Sequence, residues 1–275
     1  MTDAGVLVTG ATGKTGRRIA ERLRAAGRPV RAGSRGAHPP FDWQDRGTWD
    51  GALHGVGAAY LTYFPDLAVP GAAETVGEFA QRAVELGVRR LVLLSGRGEV
   101  GAQYAETLVQ ASGADCTVIR SAWFMQNFSE GHLLEPVLSG VIALPAGAVA
   151  EPFTDVDDIT DIAIAAFSDD RHIGQVYEVT GPRLITFAEA AAEIGAATGR
   201  DVEYRDVSGP GARDKLIEGG LPDEFADDLL ALFTEILDGH NAYVTDGVRK
   251  ALDREPRDFI EYVRASAASG VWGAR

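Results

Sequence analysis

The feature of this sequence that most constrains its fold is a strand, a glycine turn and a helix within the first 26 residues. An apolar strand runs into the turn TGATGKTG at positions 9–16, and a helical run over residues 17–26 follows at once. Gly10 permits the sharp turn, Gly13 leaves room for a pyrophosphate beside the backbone, and Gly16 lets helix and strand pack closely. The free N–H groups and positive dipole end of the helix then face the phosphates, so the sequence predicts a dinucleotide-binding site.

The glycine spacing is G-x-x-G-x-x-G rather than the simplest G-x-G-x-x-G, so its meaning depends on the flanking elements. A strand precedes the turn, a helix follows it, and a second strand is predicted over residues 29–34. The segment from Gly13 to Thr15 also resembles the end of a phosphate-binding P-loop. That motif requires glycine at position 8, where this chain has Val8, so we reject the P-loop.

Composition excludes several classes of function. With 45% hydrophobic and 24% charged residues, the 275-residue chain is expected to be a soluble globular protein. Its net charge of −14 argues against binding to nucleic acid or to an anionic membrane. We expect no signal peptide or membrane span, and the five histidines lack metal-ligand spacing, so we predict no metal. The single cysteine, Cys116, cannot form an intramolecular disulfide, which indicates a reduced, cytoplasmic compartment.

Strands and helices alternate through the first half, which is typical of an α/β fold with a doubly wound, parallel Rossmann sheet. Beyond the second strand, the predicted strands are 58–64, 90–95 and 115–121, and the predicted helices are 71–86 and 103–112. Ligands of such sheets bind at the carboxyl ends of the strands. Residues 1–150 are predicted to form an NAD(P)-binding domain, and residues 151–275 a smaller, partly interleaved α/β lobe that binds substrate.

The pattern is looser beyond residue 125. It predicts strands at 175–179 and 202–207, a capped helix at 186–198 and a last helix at 256–268. An amphipathic helix is predicted over Pro222–Asp238. Its apolar side is expected to carry Phe225, Leu229, Leu232, Phe233 and Ile236.

The end of the second strand distinguishes NADP from NAD. An acidic residue there would hold the ribose hydroxyls of NAD. This chain has Ser34, Arg35 and Gly36 instead, with Arg31 earlier in the strand and Lys14 in the turn. A guanidinium beside a hydroxyl suits a 2′-phosphate, so NADP is favoured over NAD, while a solvated loop arginine stays an alternative.

Several motifs together resemble the NmrA-like family of atypical short-chain dehydrogenase/reductases. They are TGATGKTG at 9–16, SR at 34–35, SGADCTVIR at 112–120, WFMQNF at 123–128, PFTDVDDI at 152–159 and YEVTGP at 177–182. The family includes type 2 NAD(P)H:quinone oxidoreductases and redox-sensing regulators. Nearly the whole chain takes part in the resemblance, which specifies family and fold but not substrate.

The resemblance implies that the glycine turn contacts the pyrophosphate, that Asp42 and residues 62–64 lie on the adenosine side, and that residues 95–96 approach the nicotinamide. Together with the turn and the second strand, the predicted cofactor-binding residues are Gly10, Thr12, Gly13, Lys14, Thr15, Gly16, Ser34, Arg35, Asp42, Thr62, Tyr63, Phe64, Ser95 and Gly96. It further implies that Trp123, Phe124 and Asn127 lie near the nicotinamide or the substrate. Packing in the core is the alternative for the two aromatic residues, whereas a buried amide such as Asn127 needs partners.

The Tyr-x-x-x-Lys pair by which ordinary short-chain dehydrogenases protonate an alkoxide is missing. The chain has three lysines, and Gly10, Gly211 and Asp246 stand four residues before them. Reduction of a quinone gives a delocalised hydroquinone anion, which needs a flat apolar slot more than a general acid. We therefore predict an NAD(P)H-dependent reductase of quinones or polycyclic aromatics with Asn127 as the catalytic residue, and, as the alternative, a non-catalytic NAD(P)-sensing regulator that acts through a protein partner.

The composition is rich in Ala, Gly and Arg, as in proteins from high-GC bacteria. For such members the resemblance implies a role in tailoring aromatic polyketides, including that of the reductive partner in oxygen-dependent hydroxylation.

Overall fold

The computed structural model describes residues 4–207, 211–218, 223 and 226–273. Its strands, in chain order, are β1 (Gly5–Thr9), β2 (Val30–Gly33), β3 (Val56–Leu61), β4 (Arg90–Gly96), β5 (Asp115–Ser121), β6 (Val141–Leu144), β7 (Ala150–Glu151), β8 (Val176–Val179), β9 (Ile185–Thr186) and β10 (Glu203–Asp206). Within the described residues, six of them form one parallel sheet with the order β2-β1-β3-β4-β5-β8. The chain winds from β1 outward in both directions, so the predicted doubly wound Rossmann sheet is confirmed.

Helices connect and flank these strands. They are α1 (Lys14–Ala25), α2 (Trp49–Leu53), α3 (Ala72–Glu85), α4 (Val100–Gln110), α5 (Asn127–Glu130), α6 (Leu134–Ser139), α7 (Val156–Ser168), α8 (Phe187–Thr198), α9 (Ala212–Glu218), α10 (Ala226–Ile236), α11 (Gly247–Leu252) and α12 (Phe259–Ser269). Short 3₁₀ turns cover Arg46–Thr48 and Asp170–His172.

The chain forms two compact units. Unit 1 comprises residues 1–121, 157–179 and 247–254, and unit 2 comprises residues 122–156, 180–246 and 255–275. Unit 1 contains the six-stranded sheet. The predicted division assigns cofactor binding to residues 1–150 and substrate binding to residues 151–275. Because compactness does not show what each part binds, this division stays a prediction.

Both faces of the sheet in unit 1 are buried, as a parallel sheet requires. Side chains alternate between faces along each strand. On one face, strand residues and α2, α3 and α4 form an apolar cluster that includes Leu7, Trp49, Ala59, Leu61, Phe79, Leu91, Leu93 and Val109. The alternate residues Val6, Val8 and Tyr60 are buried as well. α1 packs on β1 and β2, and its Arg22 pairs with Asp157 of α7.

Unit 2 has small sheets and an aromatic core. β6 pairs with β10 in parallel, and β7 pairs with β9 in the antiparallel sense. The rings of Phe128, Phe153, Phe187 and Phe259 are fully buried and pack edge-on or tilted against one another. The predicted cap of the helix after residue 186 is confirmed, since Thr186 accepts the Glu189 N–H in a capping box.

Several predicted bounds were wrong. The third strand ends at Leu61 rather than at residue 64, so the three residues that follow belong to a loop. α4 begins at Val100, three residues before its predicted start. The whole of α7 was missed, because its buried residues surround the helix and leave no clear amphipathic period. Within the predicted helix Pro222–Asp238, Pro222, Phe225 and the side chains of Leu229 and Leu232 lie outside the described residues.

Candidate functional site

The predicted glycine turn lies at the carboxyl end of β1. Gly10 has a φ of +59°, in the left-handed region that favours glycine, and its carbonyl oxygen accepts the Gly13 N–H at 2.8 Å. A Cβ on Gly16 would lie 2.3 Å from that oxygen. The clash would be with the backbone, which cannot turn aside as a flexible side chain can. The turn therefore requires glycine at positions 10 and 16. The close approach at Gly16 is the helix–strand packing that the sequence predicts for this residue.

The N-terminus of α1 is open to an anion. Gly13 is the N-cap residue, no side chain caps the helix, and its first turn contains no acidic residue. A Cβ on Gly13 would approach only the Gly10 carbonyl oxygen, at 3.2 Å, so the outer side of the turn is free of protein. Thr12 is exposed there, whereas Thr15 is buried beneath the turn. Backbone donors and the helix dipole at this end of the sheet fit a pyrophosphate.

Two arginines of the β2 region have different roles. Arg31 donates from Nη1 to carbonyl oxygens at the C-terminal end of α2, including that of Ala52 at 2.9 Å, and is thereby occupied in the fold. Arg35 is exposed in the turn after β2, and within the described residues its guanidinium has no hydrogen bond or ion pair. The carbonyl oxygen of Ser34 accepts the N–H groups of Ala37 and Phe41 and so shapes this turn. Of these two arginines, Arg35 is therefore the exposed one, and its contact with a 2′-phosphate stays a prediction.

Most residues predicted on the adenosine side lie together. The indole of Trp43 donates to the Thr62 carbonyl oxygen at 3.0 Å, and its ring packs 5.4 Å from that of Tyr63. Asp42 precedes this tryptophan, and its carboxylate accepts the backbone N–H of Gln44 at 3.0 Å. Segments 42–44 and 62–63 are thus joined at the carboxyl end of β3.

Phe64 differs from its neighbours, because its side chain is 71% exposed. An exposed aromatic ring beside the end of a strand is available for stacking on a ligand. The predicted place of Phe64 on the adenosine side stays a prediction.

The end of β4 presents backbone rather than a hydroxyl. The Ser95 hydroxyl is buried and donates to Oε1 of Glu106 in α4 at 2.5 Å. At Gly96, a Cβ would lie 1.6 Å from Oε2 of Glu99, so the carboxylate of Glu99 sits directly against this glycine. The predicted approach of Ser95 to a nicotinamide can therefore involve its backbone, while its side chain is committed to α4.

Sequence reasoning missed the acidic groups at this edge of the sheet. Glu99 is buried after β4, and Asp66 follows β3. Burial raises the pKa of Asp66, and backbone N–H groups and a hydrogen bond with Glu99 lower it in part. No motif marks either residue, because their proximity arises from two loops that are 33 positions apart along the chain (99 − 66).

The residues predicted near the nicotinamide or the substrate belong to unit 2. Trp123 and Phe124 are half-buried beside Thr154, whose backbone bonds to Trp123 and to Met125. Asn127 begins α5, and within the described residues its side-chain amide has no hydrogen bond, although it is half-buried.

Gln126, next to this asparagine, is 3% exposed and fully paired. Its amide donates to Asp155 at 3.0 Å and accepts the Val156 N–H at 2.9 Å. Of these two neighbouring amides, Gln126 therefore stabilises the loop and Asn127 is available to a ligand.

The described part of the chain shows neither a metal site, nor a membrane-spanning helix, nor a reactive cysteine. No group of three or more His, Cys, Asp or Glu side chains there is arranged to hold a metal ion. Nor does any helix in these residues have an apolar stretch long enough to span a bilayer. Cys116 is buried, and burial raises its pKa to about 12, so its thiol is not a ready nucleophile.

Comparison with known proteins agrees with the predicted family. The model of the NmrA-like family matches residues 104–272. The uncharacterized oxidoreductase YesF of Bacillus subtilis is 35% identical over 275 residues, which cover 96% of this chain and 95% of that protein. The NAD(P)H azoreductase of Xenophilus azovorans is 28% identical, with coverage of 96% and 98%.

A solved structure shares the fold over nearly the whole chain. The NADPH-dependent quinone oxidoreductase QOR2 of Escherichia coli, solved in complex with NADPH, has a TM-score of 0.75 and 22% identity, with coverage of 94% of this chain and 99% of that one. The resemblance read from the motifs is thus confirmed. Because the family model matches more than half of the sequence and a relative is 35% identical over nearly all of it, the chain belongs to the NmrA-like family.

Proposed function

We propose that this protein is an NADPH-dependent reductase that transfers a hydride to a quinone or another flat aromatic acceptor. The observation that carries the proposal is the exposed guanidinium of Arg35 after β2, together with the uncapped N-terminus of α1, which follows the neighbouring strand β1. One suits a 2′-phosphate and the other a pyrophosphate. The names of the relatives, an NAD(P)H azoreductase and a quinone oxidoreductase bound to NADPH, support the same reaction type.

The residues proposed to hold the cofactor lie at or after the carboxyl ends of β1 to β4. They are Gly10, Thr12, Gly13, Lys14, Thr15 and Gly16 for the pyrophosphate, Ser34 and Arg35 for the 2′-phosphate, Asp42, Thr62, Tyr63 and Phe64 for the adenosine, and the backbone of Ser95 and Gly96 for the nicotinamide. The bound cofactor supplies a hydride from its nicotinamide ring. NAD is the alternative cofactor, since only the two residues proposed for the 2′-phosphate, Ser34 and Arg35, distinguish NADP from NAD.

The acceptor class follows from what the chain offers in place of the Tyr-x-x-x-Lys pair. A quinone distributes the charge left by hydride transfer over its ring, so the protein needs a hydrogen-bond donor near the oxygen rather than a strong acid. We propose that the open amide of Asn127 is that donor, a role worth a few kcal/mol when the donor is held in place. Trp123 and Phe124 contribute the apolar surface. As the more specific role, we propose that the enzyme tailors aromatic polyketides.

The test is single-turnover oxidation of NADPH deuterated at the 4R or the 4S position, with soluble benzoquinones, naphthoquinones and a hydroxyanthraquinone as acceptors. We expect a kinetic isotope effect with one of the two labels alone, because direct transfer uses one face of the nicotinamide. Asn127→Ala is expected to lower the transfer rate far more than NADPH binding. Gln81→Ala, which removes an exposed amide on α3, is the control.

The results separate the two candidate functions. A preference for hydroxyanthraquinone over the smaller quinones would support the tailoring role. Tight NADPH binding with no acceptor reduced above the uncatalysed rate would contradict the enzyme and support the NAD(P)-sensing regulator instead.

A further inference from the structure

One tryptophan differs from the other three in its hydrogen bonding. All four tryptophans lie in the described residues, and three indole N–H groups donate to backbone carbonyl oxygens at 2.8 to 3.0 Å: Trp43 to Thr62, Trp49 to Asp42, and Trp272 to Phe128. The Nε1 of Trp123 is buried and, within that part of the chain, has no hydrogen-bond partner. Because burying a donor without an acceptor destabilises a fold, this N–H points to a ligand that brings the acceptor.

The rings of Trp123, His132, Phe187 and Phe233 pack against one another and form what we call the Trp123 cluster. The tryptophan ring lies 5.1 Å from Phe233, 5.5 Å from Phe187 and 6.3 Å from His132, measured between ring centroids. The imidazole of His132 stacks on Phe233 at 5.9 Å with an interplanar angle of 28°. All four side chains are flat rings. The polar atoms among them are the indole nitrogen of Trp123 and the two imidazole nitrogens of His132.

We propose that the Trp123 cluster binds an oxygen-bearing flat aromatic acceptor, that the Trp123 N–H donates to its oxygen, and that His132 supplies the proton that completes the reduction. The inference rests on the proposed function and adds the proton donor to it. The ring of the acceptor takes the place of the Phe233 ring against the imidazole, one aromatic surface replacing another. Asn127 and Trp123 then bind the acceptor, while His132 alone changes its protonation.

The step balances for a quinone. The hydride brings two electrons and one hydrogen to the acceptor, and the cofactor leaves in its oxidised form. The resulting hydroquinone anion takes one proton from the His132 imidazolium, and the neutral imidazole recovers a proton from water. Histidine suits this task because its ordinary pKa, about 6.5, allows both forms near neutral pH.

The binding half is tested without turnover. The indole N–H signal of Trp123 is assigned in the ¹⁵N spectrum by its loss in Trp123→Phe, and 1-naphthol, a flat phenol that cannot be reduced by hydride, is titrated into the wild-type protein. We expect the Trp123 signal to shift while the three bonded indoles stay in place. Phe233→Ala should bind 1-naphthol at least tenfold more tightly, because the variant leaves the ring space empty. An unmoved Trp123 signal at saturating 1-naphthol overturns the proposal.

The proton-donor half is tested by the pH dependence of turnover with 1,4-naphthoquinone and saturating NADPH. The wild-type rate should fall as pH rises and the imidazolium is lost. His132→Gln should be about 10²-fold slower at low pH and nearly independent of pH, with an unchanged KM for NADPH. His54→Gln, which alters an exposed histidine of unit 1, should behave as the wild type.

The two proposals fail differently. A His132→Gln variant that keeps the wild-type pH profile refutes the role of His132 even when quinones are reduced. A wild-type protein that reduces no quinone refutes the proposed function, and the 1-naphthol titration then still decides whether the Trp123 cluster binds aromatics.

Discussion

At the scale of residues, two pairs of like side chains show how this chain separates structural from available groups. The guanidinium of Arg31 donates to carbonyl oxygens at the C-terminal end of α2, whereas Arg35, four residues later, is exposed to solvent. Gln126 has both ends of its amide satisfied, whereas the amide of Asn127 has no partner in the described residues. A polar group that the fold does not use is the one that a ligand can use.

The Arg35 guanidinium leads to a prediction about cofactor choice. Arg35→Asp should lower affinity for NADPH at least tenfold, about 1.4 kcal/mol, because it replaces attraction to the 2′-phosphate by repulsion. Affinity for NADH should fall much less. Isothermal titration with both cofactors measures this, and Arg89→Asp, the same charge change at an exposed arginine before β4, is the control. Equal affinities of the wild type for NADH and NADPH would contradict the assignment.

At the scale of elements, one buried carboxylate joins a helix to two strands. Glu106 of α4 is 3% exposed, and it accepts Nε and Nη2 of Arg120 from β5 at 2.9 and 2.5 Å. It also accepts the Ser95 hydroxyl from β4. Charged and neutral donors thus converge on a single side chain, which holds α4 against the strand end where the nicotinamide is proposed to lie.

Removing this carboxylate should therefore be costly. Glu106→Ala leaves the Arg120 guanidinium without its main partner, and we expect the free energy of unfolding to fall by about 3 kcal/mol. Urea denaturation measures it. Glu85→Ala, which breaks the exposed pair with Arg82, should leave the midpoint nearly unchanged. If both variants lost the same free energy of unfolding, the buried contacts of Glu106 would contribute no more to stability than an exposed ion pair does.

At the scale of the whole molecule, stability is expected to depend on one buried histidine. Arg171 donates to Nε2 of His172, so the other ring nitrogen, Nδ1, bears the proton and donates to the Tyr177 hydroxyl at 2.8 Å. The backbone carbonyl of the histidine accepts the Thr117 hydroxyl of β5. Burial lowers the pKa of His172, and the neighbouring Arg171 and Arg90 lower it further, while Asp169 opposes them.

Because the pKa of His172 is lowered in the folded protein, we expect the free energy of unfolding to fall as the pH is lowered. The neutral ring is stabilised in the folded protein, so its contribution is complete above the unfolded pKa of 6.5 and is lost as pH falls below it. Between pH 7.5 and 5.5, the wild type and the exposed-site variant His240→Gln should therefore lose more unfolding free energy than His172→Gln. Chemical denaturation at the two pH values measures the difference, and an identical loss in all three proteins would rule out His172 as its source.

Much of the sheet in unit 1 was predictable because its signals are local. The strand-turn-helix at the start, the buried strand β5 over residues 115–121 and the helix after Gly71 were predicted within a few residues of their observed bounds. α7 was missed because its period is hidden by burial on several sides, and β6 was missed because a strand of four residues carries little pattern. β10, which is equally short, was predicted within one residue of its observed bounds.

The sequence by itself determined the glycine turn, the parallel sheet and the family, since each depends on residues that are neighbours along the chain. Tertiary structure alone decided which polar groups remain available. It directs the Ser95 hydroxyl to Glu106 and leaves the Trp123 N–H without a partner among the described residues. It also stacks His132 on Phe233, about a hundred positions away (233 − 132 = 101). Such contacts arise from the packing of distant segments, and no local periodicity or spacing records them.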